Sequence, residues 1–334
     1  MDFLNGLVAF LNFVFIPGLA YGAQLALGAL GVTLVYSILR FSNFAHGDTM
    51  AFGTMVVILF TWWFQSMGIS FGPLPTALLA LPFGIAITAL MLLGTDRLVY
   101  RFYRKQRAQS IILVIVSAGV MFVMNGIVRL IIGVQEQNFA DGARFVLTAA
   151  DFKIWSGLAE GLAIKTTTAV TVVTAVLTVA ALFWFLQKTR TGKSMRAFSD
   201  NEDLALLSGI NPDRVVQVTW IIAAALAVIA GTLYGIDKSF RPFTYFQLLL
   251  PIFAAAIVGG LGSPIGAIAG AFVVAFSEVV VTYAWKKVLG YWMPDSMAPD
   301  TLVQLLSTDY KFAVSFSILI IVLLFKPTGL FKGN

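Results

Sequence analysis

Near the start of the chain a polar break reads Arg40-Phe41-Ser42-Asn43-Phe44-Ala45-His46-Gly47-Asp48-Thr49-Met50-Ala51-Phe52-Gly53. It contains the one histidine of the sequence, next to an asparagine, a carboxylate and two glycines. Apolar runs flank the break, 18–39 before it and 50–64 after it. Such a break is either a loop at the bilayer surface or an interruption in a helix that lines a water-accessible path. Irregular backbone at membrane depth persists only where protein or water satisfies it.

The composition around this break is that of a polytopic α-helical membrane protein. Of the 334 residues, 59% are hydrophobic and 11% are charged, and the mean hydropathy is +0.90. Soluble domains are only about half apolar, whereas several runs here approach the ~20 apolar residues that cross a bilayer. We therefore predict an all-α fold in a single transmembrane domain over residues 1–334. We expect about 8–10 spanning segments and two broken or re-entrant helices.

The distribution of charge predicts which segments face the cytoplasm. The segments 94–109 and 187–214 are basic, and two predicted spans separate them, so both lie on one side. The positive-inside rule makes that side cytoplasmic. The segment 134–165 has nearly balanced charge and is predicted to be external, as is the extended segment 284–311. The tail 326–332 is basic and therefore predicted to be cytoplasmic.

The first apolar run, 3–16, is short, and we expect the following Pro17-Gly18 to end it. An interfacial helix and a short first span are both compatible with a run of this length. Because the N-terminus lacks a basic region, we expect no cleaved signal peptide.

Several chemistries are excluded by residues that the sequence lacks. No cysteine is present, so there is no disulfide, no thiolate nucleophile and no cysteine metal site, and a single histidine excludes a histidine-rich metal centre. Thr189-Arg190-Thr191-Gly192-Lys193-Ser194 ends like a phosphate-binding loop, but position 187 is Gln187 instead of glycine and no strand–helix unit surrounds it. We predict no catalytic residue, metal or nucleotide site. The net charge of +6 fits basic loops beside an anionic leaflet better than nucleic-acid binding.

A second break, Gly259-Gly260-Leu261-Gly262-Ser263-Pro264, joins two late apolar runs without any charge. Paired glycine- or proline-interrupted segments in two halves of a chain are typical of a transport pathway built from repeats, although two ordinary tight turns give the same pattern. Polar groups inside apolar runs are also functional candidates, and for an arginine near a span end the alternative is snorkelling. The predicted pathway residues are Asn43, His46, Gly47, Asp48, Asn125, Arg129, Gly259, Gly260, Gly262, Ser263 and Glu278.

The basic segment 187–214 contains a predicted short helix. Ser199-Asp200-Asn201-Glu202 reads as a capping box in which the Ser199 hydroxyl accepts from the Glu202 N–H. Leu204 and Leu207 form an apolar stripe, Gly209 suits the stop position, and Asn211-Pro212 prevents continuation. Such a helix of about two turns either lies on the membrane or docks into a cytoplasmic partner.

Four blocks, in this order along the chain, carry a family resemblance. They are 21–36 with Asn43-Phe44-Ala45-His46-Gly47-Asp48, then Thr191-Gly192-Lys193 through Arg196-Ala197 with Leu206-Leu207-Ser208-Gly209-Ile210-Asn211, then 255–267 with Glu278, and last Phe325-Lys326-Pro327-Thr328-Gly329-Leu330-Phe331. These blocks resemble the LivH-type permeases of branched-chain amino acid ABC importers. The segment 285–309 looks longer than is usual in that family, and Arg129 is a second departure.

The resemblance implies a multi-pass permease of the bacterial cytoplasmic (inner) membrane that imports branched-chain amino acids or similar small polar solutes and is not an enzyme. It implies a LivM-like second permease, two ATP-binding subunits and an extracytoplasmic substrate-binding protein as partners. ATP and Mg²⁺ would be bound by the ATPases, with no cofactor in this chain. The segment 187–214 would be the coupling loop. The residues expected to engage the ATPases are Arg196, Ser199, Glu202, Leu204, Leu207 and Gly209.

Two alternatives stay open from the sequence. Related permeases serve urea, amides or small carboxylates, so the solute is not fixed, and neither is the choice between a homodimer and a heterodimer of permeases. The alternative from another class is an ion-coupled secondary transporter or channel that works alone, with His46, Asp48 and Glu278 as proton or ion ligands.

Overall fold

The structure, a computed structural model, describes residues 2–141, 144–294, 299, 301–326 and 328–331. Among these residues, nine helices are long and apolar enough to cross a bilayer. The predicted all-α membrane fold is thereby confirmed, with a span number inside the predicted range. The spanning helices are α1 (Asp2–Leu39), α2 (His46–Ser66), α3 (Ala77–Lys105), α4 (Ser110–Ile132), α6 (Thr166–Lys188), α9 (Pro212–Lys238), α10 (Pro242–Gly259), α11 (Pro264–Thr282) and α13 (Thr308–Phe325). The shorter helices are α5 (Ala149–Ser156), α7 (Arg190–Asp200), α8 (Glu202–Leu207) and α12 (Lys286–Trp292).

The second half of α1 lies at the centre of the bundle. Nearly every residue from 22 to 39 is buried, and the helix packs against α6, α9, α10 and α11. A helix that is apolar on all faces is buried on all faces. Glycines allow the close packing, because Phe272 covers Gly22 and Ile252 lies against Gly28.

The start of α1 differs from the sequence prediction. Pro17 does not end the first apolar run, because helix continues from Asp2 to Leu39. A π-helical turn, Leu11–Phe15, precedes the proline. A wider turn of this kind accommodates a ring that would otherwise clash with the carbonyl four residues earlier. The run 3–16 is therefore neither a separate interfacial helix nor a separate span.

The basic segment 94–109 is mostly helix instead of loop. Helix α3 continues to Lys105, through a π-helical turn at Asp96–Tyr100. The salt bridge between Arg104 and the buried Asp96 stabilises this extension, in which the two carboxylate oxygens accept from the guanidinium.

Contacts between helix ends group the connecting segments as the charge pattern predicted. At one end, Arg101 and Asp213 form an ion pair of 2.7 Å, which joins the two basic segments. At the other end, Glu160 and Lys287 form an ion pair of 2.8 Å, which joins the two predicted external segments. The cytoplasmic assignment of the first end stays a prediction from the charge rule. Parts of these segments and of the tail (residues 142–143, 295–298, 300, 327 and 332) lie outside the described residues.

The segment 134–165 carries a small antiparallel hairpin, β1 (Phe145–Leu147) with β2 (Ile164–Lys165), around α5. It is tied to α1 by two asparagines, since Asn5 Oδ1 accepts from the Glu160 N–H at 3.2 Å and Asn12 Oδ1 from the Ala163 N–H at 3.0 Å.

Helices α10 and α11 form a tight hairpin with glycine at the contacts. A Cβ at Gly270 would strike the Ala255 carbonyl oxygen, and Gly259 and Gly266 exclude each other's Cβ in the same way. Backbones at this distance leave no room for a side chain, which is the use of small residues in membrane helix pairs.

We expect Gly270→Ala to destabilise the protein by roughly 1–3 kcal/mol, because the added methyl overpacks a backbone contact. The matched control is Gly119→Ala in α4, where a Cβ would meet nothing within 4 Å among the described residues and the gain is roughly 0.5–1 kcal/mol. Thermal unfolding of both variants in detergent measures the difference. Equal melting temperatures for the two would contradict the packing argument.

Candidate functional site

The break between α1 and α2 is buried. Phe41 and Asn43 are almost completely inaccessible, and α2 begins at His46, whose ring lies against Gly31 of α1. Helix α1 continues eight residues past Gly31 to Leu39, about 12 Å at 1.5 Å per residue. The chain therefore folds back into the bundle before α2 starts, although Arg40 and Phe44 of the break are exposed.

The polar groups of the break have protein partners. Asn43 Oδ1 accepts from the Ala45 N–H at 3.1 Å and from the Tyr100 hydroxyl at 3.4 Å. The Phe44 N–H donates to Ser117 Oγ at 3.0 Å. These bonds replace water for a backbone that has left the helix.

Asp48, in the first turn of α2, is completely buried. Its Oδ1 accepts from Asn125 Nδ2 at 2.7 Å, while Oδ2 has no hydrogen-bond partner among the described residues. The guanidinium of Arg129, one turn further along α4, lies within electrostatic range. The structure thus brings together three of the predicted pathway residues.

The other predicted pathway residues on α2, His46 and Gly47, directly precede Asp48 in the first turn of the helix. A Cβ on Gly31 would lie 2.6 Å from Cε1 of His46, so only glycine accommodates the ring there. Within the part of the chain that is described, His46 Nε2 has no hydrogen-bond partner. Gly47 faces the Tyr245 carbonyl, and its missing side chain allows that approach. An apolar cluster completes the surroundings: Ala45, Met121 and Met124 with Phe52, Met91 and Val120.

The glycine-rich break lies in the turn between α10 and α11. Ser263 caps α11 by accepting from the Gly266 N–H at 3.1 Å, and Gly260 and Gly262 have positive φ angles of 110° and 88°. The C-terminal tail pairs with the turn, since the Leu330 N–H donates to the Val258 carbonyl at 2.7 Å. This geometry matches the tight-turn alternative for residues 259–263. The two breaks share no hydrogen bond among those described.

Glu278 is buried at a third location. Its Oε1 accepts from Ser315 Oγ of α13, and Oε2 has no hydrogen-bond partner among the described atoms. Lys311 Nζ lies 5.7 Å from the ring centroid of Tyr21, whose hydroxyl is near Glu278. Its neighbours are therefore on α1 and α13, not in the Asp48–Asn125 group.

The predicted coupling helix is confirmed as a helix, but its cap was assigned to the wrong residue. Ser199 belongs to the preceding helix α7, and Asn201 caps α8 by accepting from the Leu204 N–H at 3.0 Å. The predicted stop is right, because Gly209 has a φ of 80°. Pro212 opens α9 instead of only ending the helix before it.

Exposure distinguishes the two faces of α8. Leu207 is 85% and Leu204 is 61% exposed, whereas Ala205 is buried against the protein. Arg196 and Ser199 line a cavity of about 690 Å³ together with Gly262 and Ser263. Glu202 lies in a neighbouring basic cleft of about 450 Å³. The structure therefore gathers the predicted coupling residues and the glycine-rich turn at one end of the bundle.

Sequence reasoning missed a buried cluster below the first break. Trp220 Nε1 donates to Asp96 at 2.8 Å, and Tyr100 stacks on Trp220 with ring centroids 5.2 Å apart. Phe41 also packs against Tyr100, with ring centroids 5.5 Å apart. The available signal was Asp96 itself, a single acid in a basic segment next to a span, with Tyr100 four residues later.

At the predicted external end, Glu136 joins the first half of the chain to the turn before α10. Hydrogen bonds from Ser239 and Arg241, and the charge of Arg241, hold the pKa of Glu136 below its usual value. The backbones of Gln137 and Phe240 exchange two hydrogen bonds of 2.9 Å beside it.

Nine candidate spans among the described residues, a buried polar break and a capped helix with exposed leucines define a polytopic membrane permease. Residues 14–323 match the family described as "Branched-chain amino acid transport system / permease component". This chain belongs to that family.

Relatives of the same kind cover nearly the whole chain. It is 32% identical over 320 residues to the Escherichia coli K12 "High-affinity branched-chain amino acid transport system permease protein LivH", covering 94% of this chain and 92% of the relative. It is 28% identical over 316 residues to the Pseudomonas aeruginosa permease protein BraD, with 94% of each chain covered. A solved structure, "PsaBC from Streptococcus pneumoniae in complex with Fab", covers 98% of this chain and 96% of its own at a TM-score of 0.47 and 13% identity. A similarity of that size supports no inference about this chain.

The family and the spans together identify the chain as the membrane-spanning permease subunit of an ABC importer, a multi-pass protein of the bacterial inner membrane. The resemblance to LivH-type permeases is confirmed. The roles of the individual site residues stay predictions.

We expect Asn125→Leu to destabilise the fold by roughly 1–3 kcal/mol, because it leaves the Asp48 carboxylate without its hydrogen-bond donor. In the double variant Asp48→Leu/Asn125→Leu most of that loss should return, since neither partner of this bond is then left buried and unpaired. Unfolding followed in detergent by circular dichroism gives the double-mutant cycle. Additive losses from the two single variants would show that the bond is not a stabilising unit.

Proposed function

We propose that this chain imports branched-chain amino acids, as one of two permeases that together enclose the translocation path. Its partners in this proposal are a LivM-like second permease, two ATP-binding subunits and an extracytoplasmic substrate-binding protein. The chain itself has no catalytic role, and ATP hydrolysis takes place in the partner subunits. The observation that carries the proposal is the pair of sites described above, a polar break that leads to the buried His46 and Asp48 and a short helix with exposed leucines at the predicted cytoplasmic end.

The surroundings of the break suit an amino acid with an aliphatic side chain. Asp48 Oδ2 offers an acceptor for an ammonium group, and Arg129 supplies positive charge nearby. Met121 and Met124 lie beside them, and methionine adapts its shape to branched aliphatic groups. Urea and simple amides lack the aliphatic part that this apolar cluster would contact.

The exposed leucines of α8 support docking to an ATPase. Leu207 projects almost fully into solvent from a helix with caps at both ends, and an apolar face on a rigid short helix is a common anchor for a groove on a partner. Because Ala205 holds the other face against the protein, a push on α8 would be passed into the bundle.

The function is tested with radiolabelled leucine in proteoliposomes. We expect uptake only when this chain, its second permease, both ATPases and the binding protein are present with ATP. The reason is that ATP hydrolysis by the ATPases drives the movement of the permeases in this proposal. Purified alone, the chain should hydrolyse no ATP. Leucine flux through the single chain without ATPases would instead identify an ion-coupled transporter or channel.

In the same assay, the double variant Asp48→Leu/Asn125→Leu distinguishes a role of these residues in leucine transport from a role in folding. We expect it to assemble like the parent protein and to lose most leucine uptake, because the polar groups of the path are gone. Uptake at the parental rate would exclude these residues from the path.

We expect Leu207→Asp to weaken binding of the ATPases by on the order of 2 kcal/mol, about 30-fold in Kd, as for an interface hot spot. The matched control is Leu207→Met, which keeps an apolar side chain at the same exposed position. Co-purification of the ATPases on a tagged permease, followed by titration, measures both variants. Unchanged binding by the aspartate variant would remove α8 from the interface.

A further inference from the structure

Arg40 lies where the end of α1, the cytoplasmic helix pair α7–α8 and the buried break meet. Its Nη2 donates a hydrogen bond to the backbone carbonyl of Ser199. Ser199 is in the last turn of α7, where carbonyls have no partner within the helix and carry partial negative charge. The guanidinium therefore ties α1 to the junction immediately before Asn201, the cap of α8.

The backbone of Arg40 is in the left-handed region, with a φ of 56°. This conformation costs energy for a residue with a side chain, whereas glycine adopts it freely. Strained residues of this kind concentrate at switch regions and functional sites. In this conformation Arg40 caps the end of α1, with its N–H donating to the Tyr36 carbonyl at 2.9 Å.

On the inner side, Arg40 is continuous with the first break. Phe41 follows it directly and packs on Tyr100, and the Tyr100 hydroxyl donates to Asn43. Three residues after Asn43, His46 begins the helix that carries Asp48. No flexible linker separates the Ser199 carbonyl from the polar break: the path consists of one side chain and a run of backbone held by hydrogen bonds.

The charge around Arg40 is not enough to explain its position. The cleft that it lines also contains Arg101, Arg104, Lys105 and Arg107. Two carboxylates line the cleft. Asp213 pairs with Arg101, and no ion pair joins Glu202 to Arg40 among the described residues. Arg40 instead donates a hydrogen bond to the Ser199 carbonyl at the end of α7. A hydrogen bond requires a defined geometry, whereas attraction between charges does not.

We propose that Arg40 is the positioning residue that transmits movement of α7–α8 to the buried break at 41–45, and through it to His46 and Asp48. The proposal rests on the proposed function, since the movement comes from ATPases bound at α8. In it, displacement of the α7–α8 junction pulls Arg40, and the break follows as a unit.

The test compares Arg40→Gly with Arg107→Gly in the reconstituted complete importer. Both arginines are exposed, both have positive φ angles (56° and 51°), and both line the same cleft. The Arg107 guanidinium has no partner among the described residues. Both substitutions remove one charge and relieve one strained backbone, and only the first removes the bond to Ser199.

We expect Arg40→Gly to lower the leucine transported per ATP hydrolysed by roughly 3- to 30-fold while ATP hydrolysis continues, and Arg107→Gly to leave the ratio unchanged. Arg40→Lys should recover part of the ratio, because an ammonium can donate one hydrogen bond to the carbonyl. Equal ratios for the two glycine variants, or no recovery with lysine, would overturn the role of Arg40. If Arg40→Gly does not assemble, Arg40→Asn, which also tolerates a left-handed backbone, takes its place.

Hydrogen exchange of the backbone amides 41–47, with and without bound ATPases, gives a readout that needs no transport. The proposal predicts a change on ATPase binding in the parent chain and in Arg107→Gly, and none in Arg40→Gly. If the parent moves no leucine but shows this pattern, the substrate assignment fails and the role of Arg40 stands. An identical response in Arg40→Gly overturns it.

Discussion

The rest of the structure depends on how the backbone between Leu39 and His46 is satisfied where it enters the helix bundle. Peptide groups that leave a helix there have no bulk water to bind, and each unpaired group costs several kcal/mol. The break meets this cost with partners from three places: its own Asn43, Ser117 on α4 and Tyr100 on α3. The buried Ser117 of α4 is explained by this demand. The packing of α3 and α4 around α2 is therefore fixed in part by polar groups, in a bundle where apolar contact alone distinguishes poorly between helices and lipid.

The central helix supplies the space that the break occupies. Because the chain folds back against the helix that it has just left, the His46 ring comes to rest on Gly31, where any Cβ would collide with it. In the same helix, Gly28 makes room for a side chain of α10 and Gly22 for a side chain of α11. Glycine weakens a helix in water by about 1 kcal/mol relative to alanine, and a central position surrounded by other helices compensates through closer packing. The polar break and the glycines of α1 are thus parts of one arrangement.

The sequence predicted correctly those features that are determined within a single segment, and it failed where contacts between distant segments decide. Apolar runs and basic segments determine spans and their orientation because the bilayer acts on each segment separately, and the nine spans among the described residues agree with the pattern. The prediction that Pro17 ends the first helix was wrong, because a π-helical turn just before it accommodates the proline ring. The sequence of that turn, Leu11–Phe15, contains no signal for a π-helix. Asn201 replaced Ser199 as the cap because α7 extends through Ser199, which leaves its backbone helical.

At the site, Asp48 and Asn125 could each be picked out as polar residues in apolar runs, but their pairing across 77 positions is a product of the fold. Arg40 gave no signal at all, since its partner is a backbone carbonyl, which every residue has.

The two breaks satisfy their backbone in different ways. In the uncharged turn at 259–264, the Gly259 carbonyl accepts from the Phe331 N–H, and the neighbouring Val258 carbonyl accepts from the Leu330 N–H. Backbone can approach backbone this closely only where side chains are missing, so Gly260 and Gly329 lie in contact there. The first break uses side chains for its own satisfaction and still has polar atoms left over, His46 Nε2 and Asp48 Oδ2, which have no partner among the described residues. Buried polar atoms without partners are costly to keep, and a solute passing through the bundle is a partner that would repay the cost. The glycine-rich turn is joined to the C-terminal tail by backbone hydrogen bonds and lies beside α7.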